Sequence, residues 1–288
     1  MPSAGPRRDT RGIVDAAALM ARVHFRRHEP AEELRPYLEH YWLIDWDLAE
    51  PYASHVVPHP SVNVVFQRYG DADETGGPES RGKVSRAEVS GVGLGLFTQE
   101  LTGVGRVCGV QFRPAGFRPF APAWPVSRWT GLRVPLGEVF AEAGPDVVAA
   151  VLDPDTDRAR VAALDAFLLA HGPSPDPAAE RAMALVGLVR EDRTVRRVSE
   201  LAAVAGMSAR SLQRLFADHV GVGPKWVILR YRIHEALERA ASEERPGPPD
   251  WAGLAADLGY SDQAHLVRDF TATVGVPPTA YSRRASGS

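Results

Sequence analysis

One stretch of this chain is written twice. Residues 201–208, running from Leu201 through Gly206 to Ser208, align with residues 254–261, from Leu254 through Gly259 to Ser261, and five of the eight positions are identical. One residue later in register, Arg214 and Phe216 lie over Arg268 and Phe270, and Val220 and Gly221 lie over Val274 and Gly275. A duplicated pattern of this kind constrains the fold more than any bulk property, because both copies must solve the same packing problem.

Each copy has the order that a helix-turn-helix requires: a short apolar helix, a glycine, a capping residue and a second, amphipathic helix. In the first copy Val198, Leu201 and Ala202 stand at i, i+3 and i+4 and form one buried stripe. Gly206 suits the left-handed backbone that ends a helix, and Ser208 suits the cap of the next one. Leu212, Leu215, Phe216 and Val220 then continue the inner face. At about 100° per residue, Arg210 and Arg214 fall opposite Leu212, with Gln213 on the flank. Arginine pairs bidentately with guanine and glutamine with adenine in the major groove, so this outward set has the chemistry of base reading.

In the second copy Leu266, Phe270 and Val274 point inward. Ala264, Val267, Arg268 and Thr271 point outward, with Gln263 and His265 on the flanks. That face is less polar, and its small members either touch thymine methyls or are indifferent. Asp269 falls toward the inner side. Amphipathic helices with charged outer faces are common in any soluble protein, so it is the duplication that favours DNA over a plain solvated surface.

Composition sets the frame. At 288 residues the length gives a soft count of two domains. With 44% hydrophobic and 24% charged residues the chain has the balance of a soluble globular protein. No run approaches the roughly 20 apolar residues of a spanning helix, and no secretory signal is visible, so a cytoplasmic protein is expected. The single cysteine, Cys108, excludes an internal disulfide and any multi-cysteine metal site, and fits a reducing compartment. A net charge of −3 gives no global argument for nucleic acid. Residues 193–284 nevertheless carry thirteen Lys and Arg against ten Asp and Glu.

The organisation expected along the chain is α+β. Residues 1–22 form a disordered or loosely ordered tail. Residues 23–170 form an antiparallel, barrel-like β domain with flanking helices, with strands over 41–44, 62–66 and 107–112. Turn clusters lie at Asp71 to Ser80 and Gly91 to Gly95. After Pro114 the periodicity becomes helical, with Phe117, Phe120 and Trp124 at helical spacing and a strong helix over 158–169. Residues 171–177, with three prolines in seven, mark a linker. Residues 178–288 are expected to be all-α, two helix-turn-helix units joined by a long helix that starts at Pro224.

Other candidates carry less. His55 and His59 are separated by a non-helical Val56, Val57, Pro58, and no acid or thiol completes a set with them or with His40, so neither metal nor cofactor is expected. Gly91 to Gly95 lacks the spacing of a phosphate loop. Trp42, Trp46, Phe66, Phe112 and Trp124 line an apolar effector pocket or fill the core, and core is the commoner fate of an aromatic in a β domain.

The C-terminal motifs resemble the AraC/XylS family of transcription regulators. The resemblance is carried by residues 201–216, by Arg232 to Leu237 in the joining helix, by residues 254–270, and by Gly275, Pro278 and Tyr281. It implies that Ser208, Arg210, Gln213 and Arg214 belong to a first recognition helix (208–219), and Gln263, His265, Val267 and Arg268 to a second (261–273), in successive major grooves. The acidic, Pro-rich connection Ser242 to Asp250 departs from the family pattern and leaves open how firmly the second unit grips DNA. Residues 34–42 and 59–66 are similar to one group of barrel-like N-terminal domains in such regulators. The implied partners are promoter DNA, a small effector, a second copy of the chain and RNA polymerase.

Two alternatives stand beside this reading. A DNA-repair methyl-transfer protein would use Cys108 as nucleophile, yet no neighbouring residue would activate it. A helical protein–protein adaptor would use the repeat without DNA.

Overall fold

The computed structural model describes residues 12–69, 84–192, 194–241 and 250–285. A short helix, α1 (Ala16–Met20), leads into six strands: β1 (Val23–His28), β2 (Leu38–Val56), β3 (Asn63–Tyr69), β4 (Val84–Ser90), β5 (Phe97–Phe112) and β6 (Arg133–Pro135). They pair antiparallel in the order β1-β2-β5-β3-β4-β6. The antiparallel sheet expected from sequence is therefore present, and it is open, with β1 and β6 as its edges.

Alternation of side chains along each strand sorts the apolar residues onto two faces. Tyr41, Leu43, Phe66, Cys108, Val110 and Phe112 enter one buried cluster, and Trp42, Ile44, Trp46, Val65 and Val107 belong to another. The first face is covered by α2 (Leu136–Val139), α3 (Pro145–Leu152) and α4 (Asp157–His171). There Phe66 meets Phe167 edge-on at 6.0 Å, and Phe112 packs against Phe117 and Phe120. Phe66 and Phe112 are thus core on the helix-facing side, the commoner of the two fates considered for them, and do not share a pocket with Trp42 and Trp46 on the other face. Trp124 lies on the surface with Arg128 over its ring.

An ion cluster fastens α4 to the sheet. Arg26 donates to Asp157 (2.8 Å) and Asp45 (2.6 Å), Arg106 to Asp45 (2.7 Å), and the buried Arg160 to Asp45 (3.0 Å).

Beyond α4 the described residues form the helices α5 (Pro177–Glu191), α6 (Val198–Ala205), α7 (Ala209–His219), α8 (Pro224–Ala241), α9 (Trp251–Asp257), α10 (Gln263–Val274) and α11 (Pro278–Ala285). The long joining helix, α8, serves two cores. Val227 and Ile228 are buried with Leu201, Leu212 and Phe216, whereas Ile233, Ala236, Leu237 and Ala240 are buried with Trp251, Leu254, Leu266 and Phe270.

Three further expectations change. Residues 12–22 are not a loose tail: Asp15 caps α1, Val14 and Leu19 are buried, and Ile13 bridges to Val56. Residues 1–11 and the turn cluster at Asp71 to Ser80 lie outside the described residues. Beyond Pro114, Phe120 closes a 3-10 turn (Arg118–Phe120) and β6 interrupts the helical run. Finally, the proline-rich 171–177 segment is packed rather than free. The Ser174 N–H donates to the Pro119 carbonyl (2.8 Å), Asp176 caps α5, and the buried cluster beneath the sheet continues into Leu185, Leu212, Phe216 and Ile228.

Candidate nucleic-acid interface

The first helix-turn-helix unit is built by caps. The Glu200 carboxylate accepts from the Arg196 and Arg197 N–H groups (2.7 and 2.8 Å) at the start of α6. At its end Gly206 adopts the left-handed conformation (φ 60°), and Arg181 donates to the Ala205 carbonyl (2.6 Å). Ser208 then accepts from the Ser211 N–H (3.1 Å), which starts α7. Its hydroxyl also lies 2.9 Å from that of Ser211, so Ser208 is occupied as a cap.

On α7, Leu212, Leu215 and Phe216 are buried, and Arg210, Gln213 and Arg214 are exposed. Neither arginine hydrogen-bonds or ion-pairs with another described residue, so both guanidiniums face solvent with full donor capacity. The C-terminal end of α7 is held on the β domain, where Arg118 donates to the Asp218 carbonyl (3.2 Å) and Thr130 to the Gly221 carbonyl (2.6 Å), and on the start of α5, where His219 stands 3.4 Å from Asp176.

The second unit repeats the plan with different caps. Asp250 accepts from Ala252 and Gly253 to start α9, and Gly259 takes the left-handed turn (φ 72°). Asp262, rather than Ser261, caps α10 through the His265 N–H (2.7 Å), an N–H that also holds its carboxyl below the usual carboxylate range. Gln263 and Arg268 are exposed, and Val267 is half-buried. His265 is engaged locally, 3.2 Å from the Ser261 hydroxyl and 3.6 Å from Asp269, with its ring against Tyr260. Asp269 is half-buried at that pair rather than inside the core.

Arginines that the periodicity did not single out couple the two units. Arg196 donates to the Asp257 carbonyl (3.1 Å) and fills the space beside Gly259, where an added Cβ would stand 2.6 Å from its Cδ. Arg232 of α8 donates to the Arg196 carbonyl (2.7 Å), and Arg239 bridges Asp257 (2.8 Å) and Glu235 (2.7 Å).

In the β domain, Trp42 and Trp46 line a cavity of about 230 Å³ together with Phe25, Val65 and Val107. Their indoles lie across Gly109 and Gly105, the residues paired with them on β5, and a Cβ on either glycine would fall 1.9 or 2.0 Å from the ring. Cys108 sits on the opposite face. Burial pushes its thiol up to about 12, so at neutral pH it is not the thiolate that methyl transfer needs.

Residues 201–284 match the model of a helix-turn-helix domain family, and residues 26–135 match a domain of unknown function (DUF6597). A protein named as an AraC-like transcription regulator from Streptomyces lividans is 33% identical over 102 residues, covering 35% of this chain and 32% of that protein. An HTH-type transcriptional regulator of Haemophilus influenzae is 24% identical over 103 residues, covering 36% of this chain and 33% of that one. The chain thus spans about a third of the length of the curated relatives it matches. Among solved structures, ToxT from Vibrio cholerae aligns over 85% of this chain and 97% of its own, with 12% identity and a TM-score of 0.42. No helix among the described residues is long and apolar enough to cross a membrane.

Proposed function

Taking residues 201–284 as an AraC-type helix-turn-helix domain, we propose that this chain is a sequence-specific, DNA-binding transcription regulator of the cytoplasm, governed by its N-terminal domain. The observation that carries the reading is the outer face of α7, where Arg210, Gln213 and Arg214 stand exposed while Leu212, Leu215 and Phe216 anchor the helix from behind. In this reading α7 reads bases with its arginines and glutamine. On α10, Arg268 and Gln263 contact bases or phosphates, and His265 and Val267 shape the edge of that surface.

The shared cores along α8, and the arginine contacts beside Gly259, support a fixed relation between the two recognition helices. Successive major grooves on one face of a duplex lie roughly 34 Å apart, and the proposal sets α7 and α10 at that spacing. The N-terminal domain takes a small effector in the cavity beside Trp42 and Trp46, and neither metal nor cofactor is needed.

Electrophoretic mobility shifts of promoter fragments across a salt series test this. Retention that weakens steeply as salt rises is the expected behaviour of a complex driven by counterion release. Retention of a protein partner, with no salt-dependent retention of any duplex, would instead favour the adaptor.

A further inference from the structure

Two helix-turn-helix units strung on one helix can still rotate about it. Each unit packs on its own stretch of α8, the first on Val227 and Ile228, the second on Ile233, Ala236, Leu237 and Ala240. Packing of that kind sets the distance along α8, and a contact away from its axis is needed to set the angle between the units. Arg196 makes such a contact. Its backbone belongs to the first unit, because the Glu200 carboxylate of α6 accepts from the Arg196 and Arg197 N–H groups (2.7 and 2.8 Å). Its side chain reaches the second, where the guanidinium donates to the Asp257 carbonyl (3.1 Å) at the end of α9. A cation at the carbonyl end of a helix is favourably placed in that helix's dipole.

The stem of Arg196 lies against the turn of the second unit. A Cβ on Gly259 would stand 2.6 Å from its Cδ and 3.0 Å from its Nε, so the approach needs a bare Cα as well as the left-handed φ of 72°. Two arginines of α8 close the frame. Arg232 donates to the Arg196 carbonyl (2.7 Å) with its guanidinium 5.6 Å from the centre of the Tyr260 ring, and Arg239 holds the Asp257 carboxylate (2.8 Å). Gly259 leads directly to Asp262, the cap of α10, so rotation at this junction swings the second recognition helix relative to α7. Inserting one base pair between two half-sites moves the second by about 3.4 Å and turns it by roughly 34°. A stiff frame senses that change, and a loose one follows it.

We infer that Arg196, seated on Gly259, is a positioning residue that makes the chain selective for the spacing between its two half-sites. The inference rests on the reading of α7 and α10 as recognition helices on one duplex. Arg196 is exposed, so a direct contact to phosphate is the competing role.

Two variants of the full chain attack the contact from opposite sides. Arg196→Ala removes the clasp, and Gly259→Ala keeps the charge but fills its seat. The first readout needs no DNA. Nitroxides on Gln213→Cys and Gln263→Cys sit at exposed positions of α7 and α10, and the native thiol, Cys108, is buried away from the label. Electron–electron dipolar spectroscopy is expected to give one narrow distance, broadened by either variant. The second readout uses the duplex that the native chain enriches from random double-stranded DNA, with its spacing lengthened or shortened by one base pair. For the native chain either change weakens the anisotropy-measured Kd about tenfold, the size of one lost base-pair readout. In both variants the penalty shrinks to about threefold or less, below the cost of a mismatched pair, while the best spacing is still bound. Melting curves identify a variant that fails to fold, and the other then carries the test.

A spacing penalty that persists in the folded variants overturns the inference, as does an unchanged distance distribution. A uniform loss of affinity at every spacing in Arg196→Ala, with the salt slope reduced by about one, marks a phosphate contact and overturns it too. A native chain that binds its duplex equally at all spacings overturns the inference and leaves the regulator reading standing. One that enriches no duplex overturns both.

Discussion

Arg214 sits one turn from Arg210 on the outer face of α7, and neither touches the fold it decorates. Arg214→Ala is therefore expected to cost about 1–3 kcal/mol of DNA affinity while thermal stability is unchanged. Fluorescence anisotropy beside a melting curve checks this, and unchanged affinity in a folded variant contradicts the assignment. Gly109 makes the opposite case, since a methyl group there occupies the space of the Trp42 indole. Gly109→Ala is expected to destabilise by roughly 1–3 kcal/mol, as overpacking does, and to shift tryptophan emission as Trp42 is displaced. The outward arginines were legible because a short amphipathic helix has a fixed period. The pocket was only half legible: alternation says that Trp42 and Tyr41 face opposite ways, but not which face the helices cover, so Phe66 and Phe112 were grouped with Trp42 and Trp46. Gly105 and Gly109 acquire meaning only once the β2–β5 register is known.

At the scale of elements, helix boundaries were readable where one residue dominated the local chemistry, as with Ser208 and Gly206. They were less so where two acceptors stood side by side. Ser261 and Asp262 both suit a cap, and the ionised carboxylate holds the first turn of α10. Long-range pairings such as Arg196 with Asp257, or Arg26 with Asp45 and Asp157, leave no periodic trace at all. The last of these gives a pH dependence. The Arg26 guanidinium beside Asp157 is the largest influence holding its carboxyl at about 2, below the ordinary 3.8. A carboxylate with a depressed folded pKa contributes fully above about pH 4, and the contribution is lost as pH falls toward 2, on the order of 1 kcal/mol after solvent screening. Denaturant midpoints measured down the acid limb should fall less steeply for Asp157→Asn than for the native chain. Parallel limbs would show that the Asp157 pairing adds nothing to stability.

Across the whole molecule, the sheet, α4, α5, α7 and the first half of α8 share one buried cluster. The three prolines of 171–177 were read as a boundary between domains because composition reports chain stiffness and is silent about what the stiff segment packs against. Continuity of the core predicts one cooperative transition for the full chain in calorimetry, and two well-separated transitions would show that the halves are independently stable. The same continuity places α8 where a change in the β domain can reach both helix-turn-helix units. Whether α7 and α10 grip one duplex together is most directly answered by selecting binders from random double-stranded DNA with the purified chain. A bipartite motif with its halves about 10 base pairs apart is expected, and Arg214→Ala should relax one half alone. Failure to enrich any motif, or a motif indifferent to Arg210, Arg214 and Arg268, would contradict the account.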